Sequence, residues 1–218
     1  MVIRRLKHLE IILESVRSHP SPSPMLEQYT ISAKAAAKIL WFAARHYDDI
    51  SGKVVLDFGC GTGRLSIGAS LLGASYVIGV DIDLKAIKTA IQNAKELGVK
   101  DNINFILASI EKFSIKGDTV IQNPPFGVQR RSADRAFLKA AINSAKVVYS
   151  LHKSGNQNRR FITKFVSELG GKITDIIPLT IEIPHMFDFH MKRWHKVKVD
   201  LYRILVGNER RTKSVAGA

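Results

Sequence analysis

From Lys53 to Gln122 the chain repeats one pattern, in which short apolar runs alternate with longer amphipathic stretches. The runs are KVVLDF (53–58), YVIGVD (76–81), INFIL (103–107) and DTVIQ (118–122), and helices are expected from about Arg64 to Leu72 and from about Leu84 to Leu97. Strands this short and this apolar need cover on both faces. The helices between them supply it through right-handed crossovers in a buried parallel sheet. The alternation continues with a helix from about Ala133 to Ala145, VVYSLH (147–152) and a helix from about Asn158 to Leu169. It ends with KITDIIPLTIEI and KVKVDLYRILV, which have no helix between them and are expected to pair antiparallel. The fold class is therefore α/β, a doubly wound, seven-stranded, mostly parallel, Rossmann-like sheet with its last strand antiparallel.

Ahead of the sheet, Ile3, Leu6, Leu9, Ile12, Leu13 and Val16 repeat at helical spacing up to about Ser18. HPSPSP (19–24) then reads as an extended connector, because each residue before a proline is pushed out of the α region. The expected organisation is an N-terminal helix and Pro/Ser connector (1–24), a main α/β domain (25–207) and a basic tail (208–218). No apolar segment follows the early charges, and the longest apolar stretch (31–44) is interrupted by Lys34 and Lys38. A soluble, cytoplasmic protein without a membrane partner is expected. Cys60 is the only cysteine, which excludes internal disulfides and a cysteine-rich zinc site, so no metal is expected. Lys and Arg number 33 against 19 Asp and Glu, a net charge of +14, which favours a polyanion, with RNA ahead of an acidic membrane.

The first chemical signal is DFGCGTG (57–63), where a strand gives way to a helix. Three alternating glycines let the backbone turn sharply and admit a ligand where a Cβ would collide. The spacing is one residue short of the dinucleotide fingerprint. Asp81 ends the next strand, where a carboxylate can accept both hydroxyls of a ribose. Together these favour S-adenosylmethionine over NAD.

The second signal is VIQNPPFG (120–127), two prolines between an amide and a ring directly after a strand. An exocyclic aromatic amine is a poor nucleophile because its lone pair is delocalised into the ring. The Asn123 side-chain oxygen and the Pro124 carbonyl would each accept one N–H of such an amine, favouring a more tetrahedral nitrogen as charge develops. Pro125 holds the turn, and Phe126 offers a face on which a flipped base stacks.

At this point the chain resembles a known group. NPPF is the signature of amino-group methyltransferases of the class I S-adenosylmethionine fold. LEQY (26–29), YDDI (47–50), LSIG (65–68), GVDID (79–83), NPPFG (123–127), AFLK (136–139) and VYSLHK (148–153) are similar to the methyltransferase-like protein five family, which methylates N6 of an adenosine in small-subunit ribosomal RNA. The resemblance implies that Gln28 and Tyr29 lie over the methionine part of the cofactor, Gly59 and Gly61 against it and Asp81 on its ribose. Asp57, Thr62, Ile82, Ile110 and Asn123 complete the implied cofactor set, and Asn123, Pro124, Pro125 and Phe126 form the catalytic loop. Thr30 stands where the family continues with proline, and its hydroxyl is the expected cofactor contact. Where relatives carry an acidic residue after the third strand, this chain has Ala108, Ser109 and Ile110; Ser109 can accept one hydrogen bond, and a lower cofactor affinity is expected. The resemblance also implies a small zinc-containing activator that adds to a sheet edge.

For RNA contact, Arg130, Arg131 and Arg135 follow the catalytic loop, and Lys192, Arg193, Trp194 and Lys196 lie between the last two strands. Basic groups around an aromatic ring give phosphate attraction plus stacking. His152 and Lys153 are expected to pack or to position RNA. The reading is an RNA adenine-N6 methyltransferase. Two alternatives stay open: a protein-glutamine methyltransferase, whose substrate also offers a planar nitrogen, and a non-catalytic RNA-binding or assembly factor that keeps the cofactor fold.

Overall fold

The computed structural model describes residues 3–23, 25, 27, 28, 30–126, 133–184 and 194–207. Two helices, α1 (Leu6–Glu14) and α2 (Ala33–His46), precede a run of β1 (Val54–Phe58), α3 (Arg64–Leu71), β2 (Tyr76–Asp81), α4 (Leu84–Glu96) and β3 (Ile103–Leu107). Then come β4 (Thr119–Gln122), α5 (Ala133–Ser144), β5 (Val147–Lys153), α6 (Asn156–Glu168), β6 (Gly171–Pro184) and β7 (Trp194–Val206).

The sheet has seven strands in the order β3-β2-β1-β4-β5-β7-β6. β1 to β5 pair in parallel, and β7 runs antiparallel to both β5 and β6, so it alone opposes the others. The order reverses between β1 and β4, where Phe58 lies beside Gln122. Crossovers leave to opposite faces on either side of this pair, which opens a crevice at the strands' carboxyl ends.

Alternation along each strand divides the core in two. Val55, Val77, Ile121 and Tyr149 pack on one face with α1, α2 and α3. Leu56, Phe58, Val80, Val120 and Val148 pack on the other with α5 and α6. The N-terminal helix shares the first of these cores: Leu9 and Leu13 are fully buried, and a Cβ on Gly68 of α3 would lie 2.3 Å from Leu40 and 3.4 Å from Leu13. Only glycine lets α1 and α2 approach α3 this closely. α1 ends at Glu14, short of the expected Ser18.

YDDI serves the fold at the sheet's far end. The Asp49 carboxylate accepts from the Tyr149 hydroxyl at 2.6 Å and from Arg203 Nε at 2.9 Å, and Arg203 stacks over the Tyr47 ring at 3.7 Å. This buried pairing joins β5 and β7 to the segment before β1. Among the described residues no helix is long and apolar enough to cross a membrane.

Candidate active site

The glycine turn leaves β1 in a conformation few other residues tolerate. Gly59, Gly61 and Gly63 have φ of 69°, 53° and 84°. The amides of Gly59 and Cys60 both donate to the carbonyl of Val80, at 2.8 and 3.1 Å. A Cβ at Gly59 would lie 3.0 Å from the Phe137 ring, and one at Gly63 would lie 2.9 Å from Phe105, whereas the space around Gly61 is open.

Asp81 closes this turn from the next strand. One of its oxygens accepts from Gly61 N at 2.8 Å and the other from Asp83 N at 2.9 Å. Burial raises its pKa, and these backbone donors oppose the rise. The carboxylate therefore shapes the loop as well as facing the cavity. Asp57 is placed differently. It is buried behind the turn, where one oxygen accepts from both the amide (2.9 Å) and the hydroxyl (2.6 Å) of Ser66, and it does not line the cavity. Burial pushes its pKa up to about 7 against those two bonds. Its place fits a support for the turn rather than a ligand contact.

At the carboxyl ends of β1, β2, β3 and β4 lies a cavity of about 400 Å³. Gln28, Thr30, Gly59, Gly61, Thr62, Asp81, Ile82, Ser109, Ile110 and Asn123, all expected from the sequence, line it together with Pro125. Tyr29, also expected there, is outside the described residues. Thr62 Oγ1 is buried without a hydrogen-bond partner among them. Glu111 lines the cavity just beyond Ile110, so the acidic group missing at the family position stands one residue further on.

His19, Met25, Glu27, Gln28 and Thr30 all line the cavity, so the described part of the connector, a strap between Val16 and Ile31, roofs it rather than acting as a plain spacer. Buried Arg64 holds both ends of this strap, donating to Val16 O at 2.7 Å and Ile31 O at 2.5 Å. Midway, His19 and the amide of Gln28 meet one oxygen of Asp83, at 2.9 and 2.7 Å. Burial works against ionisation of Asp83, but the bonds from Gln28, the Lys85 amide and His19 outweigh it and hold the carboxyl below its ordinary range.

The NPPF loop leaves β4 at the cavity rim. Asn123 and Pro125 face the cavity, Pro124 is buried, and Phe126 lies outside the lining. Phe126 N donates to a carboxylate oxygen of Glu27 at 2.7 Å. Glu27 itself has φ 50°, so the strap adopts a left-handed turn there to bring this carboxylate to the loop. Sequence reasoning quoted LEQY without a role for Glu27. It also missed Phe137, whose ring packs at Gly59, and Arg64.

Of the residues expected to meet RNA, Arg135 is exposed on the first turn of α5, with its guanidinium 4.4 Å from the Phe161 ring centre, and Lys196 is exposed on β7. Arg130, Arg131, Lys192, Arg193 and the side chain of Trp194 fall outside the described residues, as does the basic tail 208–218.

A doubly wound sheet with a lone reversed strand, a glycine turn beside an acidic strand end, and an Asn-Pro-Pro-Phe loop on the same cavity define a class I methyltransferase. Residues 49–196 match the family described as a methyltransferase domain. The chain is 36% identical over 205 residues to the rRNA N(6)-adenosine-methyltransferase METTL5 of Danio rerio, covering 91% of this chain and 98% of that one. It is 34% identical to the Drosophila melanogaster protein of the same name, covering 94% and 98%. A crystal structure of a candidate RNA methyltransferase of Pyrococcus horikoshii superposes with a TM-score of 0.87 at 42% identity, covering 94% and 99%. The chain belongs to the METTL5 methyltransferase family.

Proposed function

We propose that this chain is an S-adenosylmethionine-dependent RNA methyltransferase that modifies N6 of an adenosine, with small-subunit ribosomal RNA as its substrate. The observation that carries the reading is that Asn123 and Pro125 share one cavity wall with Gly59, Gly61, Asp81 and Ser109. The expected cofactor contacts and the Asn123 acceptor therefore line a single chamber, with Pro124 next in the chain. The residues fit the cofactor: open space at Gly61 admits its close approach to the backbone, Asp81 on the cavity wall offers a carboxylate to a ribose, and the orphaned Thr62 hydroxyl offers a further polar contact. Glu111 and Ser109 supply acceptors for an adenine amine.

Bound there, S-adenosylmethionine supplies an electrophilic methyl carried on a sulfonium. The Asn123 side-chain oxygen and the Pro124 carbonyl accept the two N–H groups of the target amine and draw its lone pair out of the ring. The new N–C bond forms as the C–S bond breaks, and the resulting ammonium loses a proton to water without a strong base. Glu27 holds the loop through Phe126 N, so these acceptors are set before the substrate arrives. Exposed basic groups such as Arg135 and Lys196 attract the phosphate backbone.

The reading includes a small activator that adds a strand to β3. This strand ends the sheet and pairs only with β2 among the described strands; Leu107 on it and Leu84 and Ile91 on α4 are exposed. An unpaired edge beside apolar surface suits strand addition.

The test is mass spectrometry of nucleosides from ribosomal RNA incubated with the protein and isotope-labelled S-adenosylmethionine. Label in N6-methyladenosine is the expected result; label in protein glutamine, or in nothing while the cofactor binds and a cell extract supplies the activator, would overturn it.

A further inference from the structure

The NPPF loop separates two cavities, and the second takes no part in methyl transfer as described. It has a volume of about 120 Å³ and is lined by Phe126, Asp134, His152, Lys153, Ser154 and Asn158. It therefore lies between the Phe126 ring, the first turns of α5 and α6, and the end of β5. None of its residues lines the cofactor cavity.

Its inner wall is a histidine in a defined protonation state. Gln122 on β4 lies beside Ser150 on β5, and His152 follows two residues on along the same face. Gln122 Nε2 donates to Ser150 Oγ at 2.9 Å, and Ser150 Oγ stands 2.8 Å from His152 Nε2. His152 is 2% exposed, and burial holds its pKa down at about 3, which keeps the ring neutral. A neutral imidazole carries one N–H and one bare nitrogen, so with Nε2 on Ser150 its Nδ1 is left to exchange one hydrogen bond, as donor or acceptor. Among the described residues Nδ1 has no hydrogen-bond partner.

The remaining walls suit a nucleotide. Phe126 offers an aromatic ring, Asn158 uses its amide nitrogen on the Lys153 carbonyl and keeps its oxygen, and Lys153 is exposed at the rim. A planar group with hydrogen-bonding atoms on its edge and an anion close by matches this set. The target base itself is excluded, because its amine must reach Asn123 and the methyl in the other cavity.

We propose that this cavity holds the nucleotide adjacent to the target adenosine, with His152 Nδ1 hydrogen-bonded to the edge of its base and Lys153 beside its phosphate. Phe126 then stands as a wedge between target and neighbour, which keeps the target base unstacked from the strand. The proposal rests on the reading of the chain as an RNA methyltransferase, and it assigns His152 a positioning and specificity role.

The test uses a pool of short RNAs, each with one adenosine between randomised neighbours, incubated with labelled S-adenosylmethionine; the methylated fraction is sequenced. The wild-type protein is expected to enrich one base at a neighbouring position by about tenfold. His152→Gln and Asn158→Leu are expected to lose that enrichment while binding S-adenosylmethionine as the wild type does. Asn158 is half-buried at the rim, so its variant carries the test if His152→Gln fails to fold. Equal methylation of all neighbours by the wild type, or enrichment retained in the variants, overturns the proposal. Absence of transfer to any RNA by a wild-type protein that binds the cofactor overturns the underlying RNA reading instead, and this proposal with it.

Discussion

Asp81 and Asn123 sit on one cavity yet act on different quantities. Asp81 accepts from Gly61 N and Asp83 N, so its carboxylate holds the glycine turn in the shape the cofactor meets. Asp81→Ala removes both the turn's clamp and the proposed ribose acceptor, and cofactor affinity measured by calorimetry is expected to fall about tenfold or more. In the proposed mechanism Asn123 contributes to a charge distribution present only as the methyl arrives. Asn123→Ala is expected to leave cofactor affinity within about twofold of wild type while lowering the single-turnover rate by about a hundredfold or more. An equal loss of both quantities would make the loop a structural part of the cofactor site.

At the scale of elements, the sheet was legible because its strands are apolar runs separated by helix-length stretches, and the glycine turn and NPPF loop were legible because their residue types admit few other conformations. The strap was not. HPSPSP reads as a spacer, and nothing in the sequence pairs Arg64 with Val16 O and Ile31 O, since backbone carbonyls carry no residue signature. Glu27 stayed hidden for a similar reason: its partner is the Phe126 amide, 99 residues away, reached only through a left-handed turn. Asp57 was placed on the cofactor by its neighbours in the motif, but strand alternation directs it behind the turn to Ser66. Because Arg64 fastens both ends of the strap, Arg64→Met keeps the buried stem and loses two charged hydrogen bonds. It is expected to cost about 2 to 4 kcal/mol of stability in denaturant melts and to weaken cofactor binding, since His19, Gln28 and Thr30 line the roof that it holds. Cofactor affinity unchanged in a folded variant would show that the strap does not close on the ligand.

For the whole molecule, a net charge of +14 makes RNA association a matter of counterion release. The logarithm of the binding constant is expected to fall steeply and linearly with the logarithm of salt concentration in a filter-binding titration. A subtler property arises from two buried groups whose pKa values burial moves in opposite directions. Asp57 has its pKa raised to about 7 by burial, so between its unfolded value near 4 and pH 7 the folded chain holds a proton that the unfolded chain lacks. That group's stabilisation is complete at low pH and is lost as pH rises through 7. His152 is the reverse. Burial holds its pKa at about 3, so between pH 3 and its unfolded value near 6.5 the unfolded chain holds the extra proton, and stability is lost as pH falls through that range. From about pH 4 to 6.5 the two slopes oppose each other, each about 1.4 kcal/mol per pH unit, and these groups leave wild-type stability nearly flat. Replacing one exposes the other. Asp57→Asn is expected to become more stable as pH rises across this window, and His152→Gln less stable, in urea melts taken every half unit. Parallel profiles for wild type and both variants would show that neither group changes its proton occupancy on folding.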